Sequence, residues 1–507
     1  MEDRGTLATV NRPVSDTARA ISSDAIAAIV DPHFDIALET GRAPGLVYRV
    51  LVDGAVVHSW GIGARALPDG APPDEETVFR IASMTKSFTA ATVLSLRDAQ
   101  LLSLDAPVAE CVPEIGTQSD LTIRHLLTMG GGFLTDDPWG DRQQDLSVSD
   151  FRRLVSSGIT PAWAPGERFE YSNLGYALLG LVIEGVTGGS YAKAVQTHVL
   201  DPLAMSSTGF TVDEVAGPVA AGYVRRTTGW SNEPIAPSGA FSPMGGLLST
   251  VSDLATWVGL FQGVDRHQES TGAGSLGVGV QSLREMQVTQ RLVASVASKD
   301  PGGAPDITGY GFGLFEDFRS WGRSVYHSGG YPGFGSHMRW HPASGLGIVA
   351  LANGTYAPMS TVGHAALRDL VVQLEVPVRR PAVDLPGLVR AREATTAWLS
   401  ASDPEGEEAR VLRGLLADNV ERDAPWDERV AVWRSIRESD GVLRRRDVTE
   451  TRPSPGSLSW HMTGDSSGNR HRVVVMVAPH DAGLVQSIEI KAADDLAAGP
   501  PPSTDLS

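Results

Sequence analysis

The sequence predicts an α+β protein: one antiparallel sheet flanked by helices, an inserted helical lobe, and a small C-terminal α+β domain. Two observations lead to this fold class. A hairpin near the N-terminus is followed by a long stretch of helices and loops, and further strands come only after residue 310. A lone hairpin is marginally stable in water, so it needs those late strands to complete a sheet. After residue 386 the order of predicted elements changes: helices come first, and four runs of alternating apolar and polar residues follow them.

The first elements are a helix and a hairpin. Residues 22–36 predict the helix, with Pro32 either kinking or ending it. Runs 46–52 and 55–60 predict two strands, joined by Asp53-Gly54. Asp-Gly between alternating runs is a strong signal for a two-residue hairpin turn.

The inserted lobe is predicted to be mostly helical between residues 87 and 260, with helices at 88–102, 122–129, 150–157 and 174–186. The glycines that follow two of these helices favour helix ends, because glycine adopts positive φ at little cost. The region 263–309 is rich in glycine and serine and contains one predicted helix at 283–295. The late strands are predicted at 311–318, 324–327, 335–341 and 345–352.

The domain organisation follows from changes in composition. Residues 1–18 and 493–507 predict disordered tails, 19–377 the main domain, 378–386 a linker, and 387–492 the small domain. Helices followed by a strand meander are typical of an α+β roll. No cluster of titratable residues stands out in the small domain, so interaction, regulation and packing stay open as its role.

Composition excludes several classes of partner. The net charge of −18 argues against nucleic acid or an anionic membrane, because both select a basic face. The single cysteine, Cys111, excludes an internal disulfide framework. The N-terminal residues lack a signal-peptide pattern, and no apolar run reaches about 18 residues. We therefore expect a cytoplasmic protein without a membrane span, and the sequence leaves its oligomeric state open.

The first candidate for chemistry is Ser83-Met84-Thr85-Lys86, at the head of a predicted helix. Residues three apart share a helix face, so Ser83 and Lys86 are expected to point into the same space. A hydroxyl becomes a good nucleophile when a neighbouring base takes its proton. Burial lowers the pKa of a lysine enough for it to act as that base.

A second copy of this spacing, Ser190-Tyr191-Ala192-Lys193, follows two glycines. Serine is a favoured N-cap at the start of a helix. We therefore interpret Ser190 as a cap and not as a nucleophile.

Two further motifs supply the other parts of a hydrolytic site. Tyr171 can relay a proton beside a buried lysine, and Asn173 offers a donor and an acceptor. The alternative is that Tyr171 is a core aromatic and Asn173 an N-cap. In His327-Ser328-Gly329-Gly330, glycines at a strand end let backbone N–H groups approach a substrate, while His327 bonds the lysine–tyrosine network or the substrate. The alternative there is an ordinary glycine turn with a half-exposed histidine.

With all three motifs in this order, the chain resembles the serine β-lactamase-related hydrolases of the class C type. This group includes β-lactamases, DD-peptidases, D-amino-acid peptidases and family VIII esterases. The resemblance runs from about residue 20 to 376 and implies the family's antiparallel sheet with flanking helices and a helical lobe.

The resemblance also implies roles. Ser83 would be acylated, and Lys86 and Tyr171 would be the general base and acid, with the group that takes the first proton left open. Asn173 would position the acyl side chain, and the backbone N–H groups of Ser83 and Gly330 would form the oxyanion hole, with Gly329 beside them.

Two departures narrow the expected function. Class C β-lactamases carry a lysine where this chain has His327, and that lysine contacts the β-lactam carboxylate. Where many relatives continue His-Thr-Ser-Gly after Leu-Leu-Thr, this chain has Met129-Gly130-Gly131-Gly132, which is expected to alter one wall of the cleft.

The sequence therefore predicts a serine hydrolase, a carboxylesterase or D-amino-acid-peptidase-like amidase acting on small esters or amides. It needs no cofactor, and no histidine pair stands at metal-ligand spacing in a helix. The alternatives are a penicillin-recognising β-lactamase or DD-carboxypeptidase, and a catalytically weak scaffold protein.

Overall fold

The computed structural model describes residues 22–116, 120–137, 139–265, 277–297, 305–374, 385–446, 450–451, 454, 456–479 and 483–492. The chain divides into two compact units, Met1–Arg379 and Arg380–Ser507. The predicted tails, 1–18 and 493–507, and most of the predicted linker lie outside the described residues. Within the described ranges, no helix has both the length and the apolar character needed to cross a membrane.

The first unit contains ten helices and twelve strands in its described part. The helices are α1 Ser23–Glu39, α2 Thr85–Asp98, α3 Ile123–Leu127, α4 Val148–Ser156, α5 Asn173–Thr187, α6 Tyr191–Val195, α7 Ser242–Gly245, α8 Val251–Asp265, α9 Val280–Met286 and α10 Met359–Gln373. The strands are β1 Gly45–Val52, β2 Ala55–Gly63, β3 Phe79–Arg80, β4 Gly222–Arg226, β5 Gly229–Glu233, β6 Leu248–Ser249, β7 Arg291–Val296, β8 Asp306–Tyr310, β9 Phe315–Arg319, β10 Gly322–Tyr331, β11 Phe334–His341 and β12 Leu346–Ala352.

Eight of these strands form one antiparallel sheet in the order β2-β1-β12-β11-β10-β9-β8-β7. The N-terminal hairpin pairs with β12, so early and late parts of the chain complete the same sheet. Asp53 and Gly54 turn the hairpin with φ angles of 58° and 78°, as a type I′ turn requires. Helices α2 to α9 lie between β2 and β7 in the chain. The predicted fold class is confirmed.

Helices cover both faces of the sheet. Along β1, Tyr48 and Val50 face a core formed with α1 and α10, while Val47 and Leu51 face the larger core that contains α2 and α8. The period-2 alternation of a strand sends successive side chains to opposite faces, so both layers are buried against β1. Pro32 does not end α1, which continues to Glu39 because its apolar face stays packed, with Phe34 stacked on Tyr48 at 4.0 Å.

Two predicted elements differ from the structure. The helix expected at 283–295 ends at Met286, and Arg291–Val296 is instead the edge strand β7, paired with β8. The strand expected at 311–318 begins only at Phe315, because residues 311–314 form the turn between β8 and β9, in which Gly313 has φ +71°. In the first of these two places, pairing within the sheet overrides the local pattern, as it commonly does in short segments.

The second unit consists of helices and a small sheet. Its helices are α11 Pro386–Ser400, α12 Glu407–Arg413, α13 Asp418–Asp423 and α14 Trp426–Asp440. Its strands are β13 Leu443–Arg444, β14 Glu450–Thr451, β15 Ser457–Gly464, β16 Arg470–Val477 and β17 Val485–Ala492, in the order β13-β15-β16-β17 with β14 beside β15.

A cluster that the sequence did not reveal lies at the end of α14. The Asp440 carboxylate accepts hydrogen bonds from Ser467 Oγ at 2.6 Å and Asn469 Nδ2 at 2.7 Å, and contacts His471 Nε2 at 3.0 Å. The hydrogen bonds from Ser467 and Ser439 lower the pKa of Asp440 to about 2. These contacts tie the helix end to the β15–β16 turn, which is a structural role.

Candidate active site

Ser83 lies in a single 3-10 turn, Ala82–Met84, directly before α2. Ala82 has φ 49°, a left-handed conformation that costs a non-glycine residue about 1–2 kcal/mol. The turn is held on both sides, because the Ile81 amide donates to Leu247 O at 3.0 Å and Ser336 Oγ donates to Ile81 O at 2.7 Å. The surrounding strands therefore fix the position of the Ser83 hydroxyl, which is partly exposed.

Lys86 is fully buried one turn further along. Its Nζ lies 2.9 Å from Ser83 Oγ, 2.8 Å from Asn173 Oδ1 and 2.8 Å from the Met244 carbonyl oxygen. Two of these partners are carbonyl oxygens, which only accept hydrogen bonds. A neutral amine that gives its two hydrogens to them directs its lone pair at Ser83 Oγ. Burial lowers the pKa of Lys86 to about 8, against the opposing charges of Asp137 and Asp141.

Tyr171 lies on the other side of the serine. Lys86 Nζ is 4.9 Å from the centre of its ring, and an interaction with Ser83 lowers the pKa of the Tyr171 hydroxyl, against the larger effect of burial. Burial and the charge of Asp137 raise the pKa of Tyr171 well above its usual value, so the hydroxyl keeps its proton at neutral pH. Tyr171 is half-buried and lines the cleft, which gives it a position to exchange protons with a substrate.

Asn173 is placed differently from the expectation. It is fully buried, and its amide is used on both sides: Oδ1 accepts from Lys86 and Nδ2 donates to Asp137. It is not among the residues that line the cleft, so nothing in its position supports contact with an acyl side chain. The role of Asn173 toward a substrate stays a prediction, whereas the alternative of an N-cap is wrong, because Ser172 Oγ caps α5 by accepting from the Gly175 amide. Asn173 instead orients the amine of Lys86.

His327 also departs from the expectation. It is 1% exposed, its Nδ1 is 2.7 Å from the Ser328 carbonyl oxygen, and its Nε2 has no hydrogen-bond partner among the described residues. Burial and the charge of Lys86 lower its pKa to about 3, so the imidazole is neutral. It packs against Phe315 and forms no described hydrogen bond with Lys86 or Tyr171. The alternative, a glycine turn with a half-exposed histidine, is wrong because His327 is buried, while a contact between His327 and a substrate stays a prediction.

Gly329 and Gly330 lie near the end of β10, where this strand extends beyond β9. Strand β9 pairs with β10 only as far as Tyr326, and the turn of Ser83 packs against β10. A Cβ on Gly329 would come within 2.4 Å of Ile81 O and 2.3 Å of Ser336 Oγ, which is closer than real contacts allow. Glycine at 329 is therefore what lets the strand approach the serine, and Gly330 lines the cleft.

We expect Gly329→Ala to lower kcat/KM for an activated ester by at least about tenfold, because the methyl group pushes β10 away from the turn of Ser83. The cost in folding free energy should be about 1–3 kcal/mol, typical of overpacking. Steady-state kinetics and thermal unfolding measure the two effects. Gly189→Ala is the matched control, because the nearest atom to its new methyl group is 3.9 Å away. A Gly329 variant as active as the Gly189 variant would contradict this packing argument.

The residues that sequence reasoning missed are three carboxylates and a tyrosine. Asp136 accepts from the backbone amides of Asn173 and Leu174, both at 2.7 Å, and so holds the start of α5. Asp137 accepts from Asn173 Nδ2, and Asp141 accepts from Tyr356 Oη at 2.8 Å. The signal was three aspartates within six residues, directly after the glycines of residues 130–132.

These residues surround a cavity of about 400 Å³. Its lining consists of Ser83, Asp137, Asp141, Tyr171, Ser328, Gly330 and Tyr356. Gly130, Gly131 and Gly132 are buried and are not part of this lining, which includes two of the aspartates that follow them in the chain. That these glycines alter a wall of the cleft stays a prediction.

Comparisons with known proteins identify the family of this chain. A sequence model of the Beta-lactamase family matches residues 26–373. Esterase EstB of Burkholderia gladioli is 31% identical over 398 residues, which cover 70% of this chain and 97% of EstB. Protein flp of Staphylococcus aureus (strain N315) is 27% identical over 337 residues, covering 64% of this chain and 62% of flp, so this chain spans less than two thirds of that relative.

Two solved structures have a similar fold. The octameric penicillin-binding protein homologue from Pyrococcus abyssi superimposes with a TM-score of 0.57 at 23% identity, over 91% of this chain and 99% of that one. A class C β-lactamase gives a TM-score of 0.55 at 21% identity, over 68% and 97% of the two chains. At these identities the likeness concerns the fold alone. Together with the family match, it confirms the resemblance that the three motifs predicted.

Proposed function

This chain belongs to the β-lactamase family, and from that premise we propose that it is a serine hydrolase that forms an acyl-enzyme on Ser83. Its substrates would be small esters or amides, so that it works as a carboxylesterase or a D-amino-acid-peptidase-like amidase. The observation that carries the proposal is the buried Lys86 amine, which lies 2.9 Å from Ser83 Oγ and has no carboxylate at hydrogen-bond distance among the described residues. The name of the relative EstB supports an ester substrate.

In the first half-reaction Ser83 Oγ attacks the substrate carbonyl carbon, and its proton passes to neutral Lys86. Lys86 is the better first base because its pKa is lowered, whereas that of Tyr171 is raised and a tyrosinate is disfavoured. The backbone N–H groups of Ser83 and Gly330 would stabilise the oxyanion, with donors of this kind contributing about 3–4 kcal/mol each.

Collapse of the tetrahedral intermediate breaks the bond to the leaving group. Tyr171 donates its proton to the departing oxygen or nitrogen and recovers one from the Lys86 ammonium. Water then attacks the acyl-enzyme with the same pair removing its proton, and the release of the acid restores Ser83. Each half-reaction balances on its own: the proton of Ser83 is replaced on the leaving group in the first, and a proton of water returns to Ser83 in the second.

A penicillin-recognising enzyme is the competing proposal, favoured by the similarity to a penicillin-binding protein homologue in fold. The neutral, buried His327 opposes it, since no lysine occupies that position to pair with a β-lactam carboxylate.

The test follows intact protein mass and peptide maps while the protein turns over p-nitrophenyl butyrate, and separately while it is held with benzylpenicillin. We expect a transient butyryl adduct on the peptide that contains Ser83, with ester turnover. An adduct on another residue, or turnover with no acylation of this peptide under rapid quenching, would overturn the proposal. A lasting penicilloyl adduct on Ser83 would shift the assignment to a penicillin-recognising enzyme.

The pH dependence of kcat/KM provides a second test. Because the pKa of Lys86 is lowered to about 8, the neutral base is a minority at pH 6 and is abundant above pH 8. We expect kcat/KM for a neutral ester to rise about tenfold per pH unit below pH 7 and to level off above the pKa. Initial rates between pH 6 and 9.5, corrected for the uncatalysed reaction, measure this. A profile that stays flat over the whole range would argue against Lys86 as the base.

A further inference from the structure

The walls of the cleft carry an unbalanced charge. Asp137 and Asp141 are the two acidic residues of the lining, and its other described members, including Ser83 and Tyr171, have neutral side chains. No cationic side chain is among the described lining residues. Lys86 acts on Asp137 and Asp141 through its charge when protonated, but its Nζ makes its hydrogen-bond contacts with Ser83, Asn173 and the Met244 carbonyl and with neither aspartate.

Asp141 is the more informative of the two acids. It is 4% exposed, and its one described donor is the hydroxyl of Tyr356. The adjacent Arg142 does not pair with it, because that guanidinium binds Glu233 at 2.6 Å. In the part of the chain that the structure describes, no ion pair includes Asp141. A buried carboxylate is normally stabilised by a paired cation, and the Asp141 carboxylate has no such ion pair among the described residues.

Asp137 adds a second negative charge to the same cavity. It is exposed at the cleft, and one of its oxygens accepts from Asn173 Nδ2. Asp137 and Asp141 act on each other by charge repulsion, which raises the pKa of Asp141 beyond the effect of burial. A cation placed between two such carboxylates gains from both and removes their repulsion.

We propose that the cleft selects acyl donors that carry an ammonium group, and that Asp137 and Asp141 bind this group beside Ser83. The proposal rests on the proposed hydrolase function and names the substrate class of the same site. A donor with a free carboxylate near its acyl carbon meets repulsion in the same place. The occupant that the walls fit is therefore an ester or amide of an amino-substituted acid.

The test compares three p-nitrophenyl esters with equal chain length, ending in a trimethylammonium, a tert-butyl or a carboxylate group. The leaving group and the reacting carbonyl are the same in all three. We expect kcat/KM to fall in that order, with the cationic ester at least about tenfold above the neutral one at low salt. The ratio of cationic to neutral ester should shrink when the salt is raised to about 0.5 M, because ions screen a solvent-connected cleft.

Asp141→Asn keeps the shape and the acceptor oxygen for Tyr356 but removes the charge. We expect this variant to lower the ratio of cationic to neutral ester by about fivefold or more, whatever its effect on either rate alone. Asp213→Asn is the matched control, since it changes net charge equally at an exposed residue that does not line the cleft. Its ratio should equal that of the unmodified protein.

The outcomes separate the two proposals. If none of the three esters is turned over, the hydrolase function itself fails. If the neutral ester is turned over but the cationic ester is no better, or the carboxylate ester is preferred, the ammonium site is wrong while the hydrolase function stands. A ratio that does not change with salt or with Asp141→Asn would also overturn the ammonium site.

Discussion

Replacing Ser83 by alanine should reduce kcat/KM for an activated ester by at least about a thousandfold. Ser83 is the hydroxyl that contacts Lys86 Nζ, at 2.9 Å, and the Tyr171 hydroxyl, so no attacking oxygen remains next to the base. The folded state should lose little, since Ser83 is partly exposed and stands in a turn held by backbone contacts. Steady-state ester kinetics and thermal unfolding of the purified variant measure both.

The second Ser-x-x-Lys sequence supplies the control. Ser190 Oγ accepts from the Lys193 amide at 3.3 Å and caps α6, as the sequence predicted. Ser190→Ala should therefore leave turnover unchanged and cost about 1 kcal/mol of stability through loss of the cap. Comparable losses of activity in the two alanine variants would show that Ser83 is not the nucleophile.

Lys86→Met should be the other severe substitution, with a loss of about a thousandfold or more in kcat/KM. Methionine fills the buried space with a straight side chain but cannot accept the proton of Ser83. Asn173 Oδ1 and the Met244 carbonyl each lose a donor, at about 1–3 kcal/mol per unsatisfied group. The substitution also removes the unfavourable free energy of burying an amine. We therefore expect a folded protein with a modest change in Tm.

Lys193→Met is the matched control, because this lysine belongs to the capping copy of the motif and its substitution should leave ester turnover unchanged. Circular dichroism and thermal unfolding identify whether an inactive Lys86 variant is folded. A folded Lys86→Met protein that retains more than a tenth of the activity would exclude Lys86 as the base. An inactive Lys193→Met protein would show that the second Ser-x-x-Lys sequence does more than cap α6.

Local patterns predicted the parts of this protein in which neighbouring residues determine the result. Asp53-Gly54 identified the hairpin, and the spacing of Ser83 and Lys86 identified two groups that share one face. The family resemblance added a residue that is distant in the sequence: it predicted Tyr171 beside Ser83 and Lys86, and the Tyr171 ring lies next to Lys86 Nζ. In these places the chemistry of a few adjacent residues leaves few alternatives.

The remaining differences come from contacts between distant segments. From the sequence, Asn173 was predicted to be an N-cap or a substrate ligand. In the fold, Lys86, 87 residues away, and Asp137 bind the two ends of its amide. From the sequence, His327 was predicted to be a polar ligand. In the fold it packs against aromatic rings, and its Nε2 has no hydrogen-bond partner among the described residues. Most of the segment 291–296 was predicted to be helical, because a local pattern carries no information on its pairing with β8.

The Lys86 amine has a consequence for how this protein acquires activity. Its two carbonyl partners lie 87 and 158 residues further along the chain, on α5 and α7. Helix α2 alone would present a solvated, protonated lysine beside Ser83, with the ordinary pKa of about 10.4 and no catalytic power. Reactivity therefore emerges only when segments from three parts of the lobe have docked and expelled water around one nitrogen atom. We therefore expect an unfolded or partly folded chain not to be acylated at Ser83, even when a substrate is present.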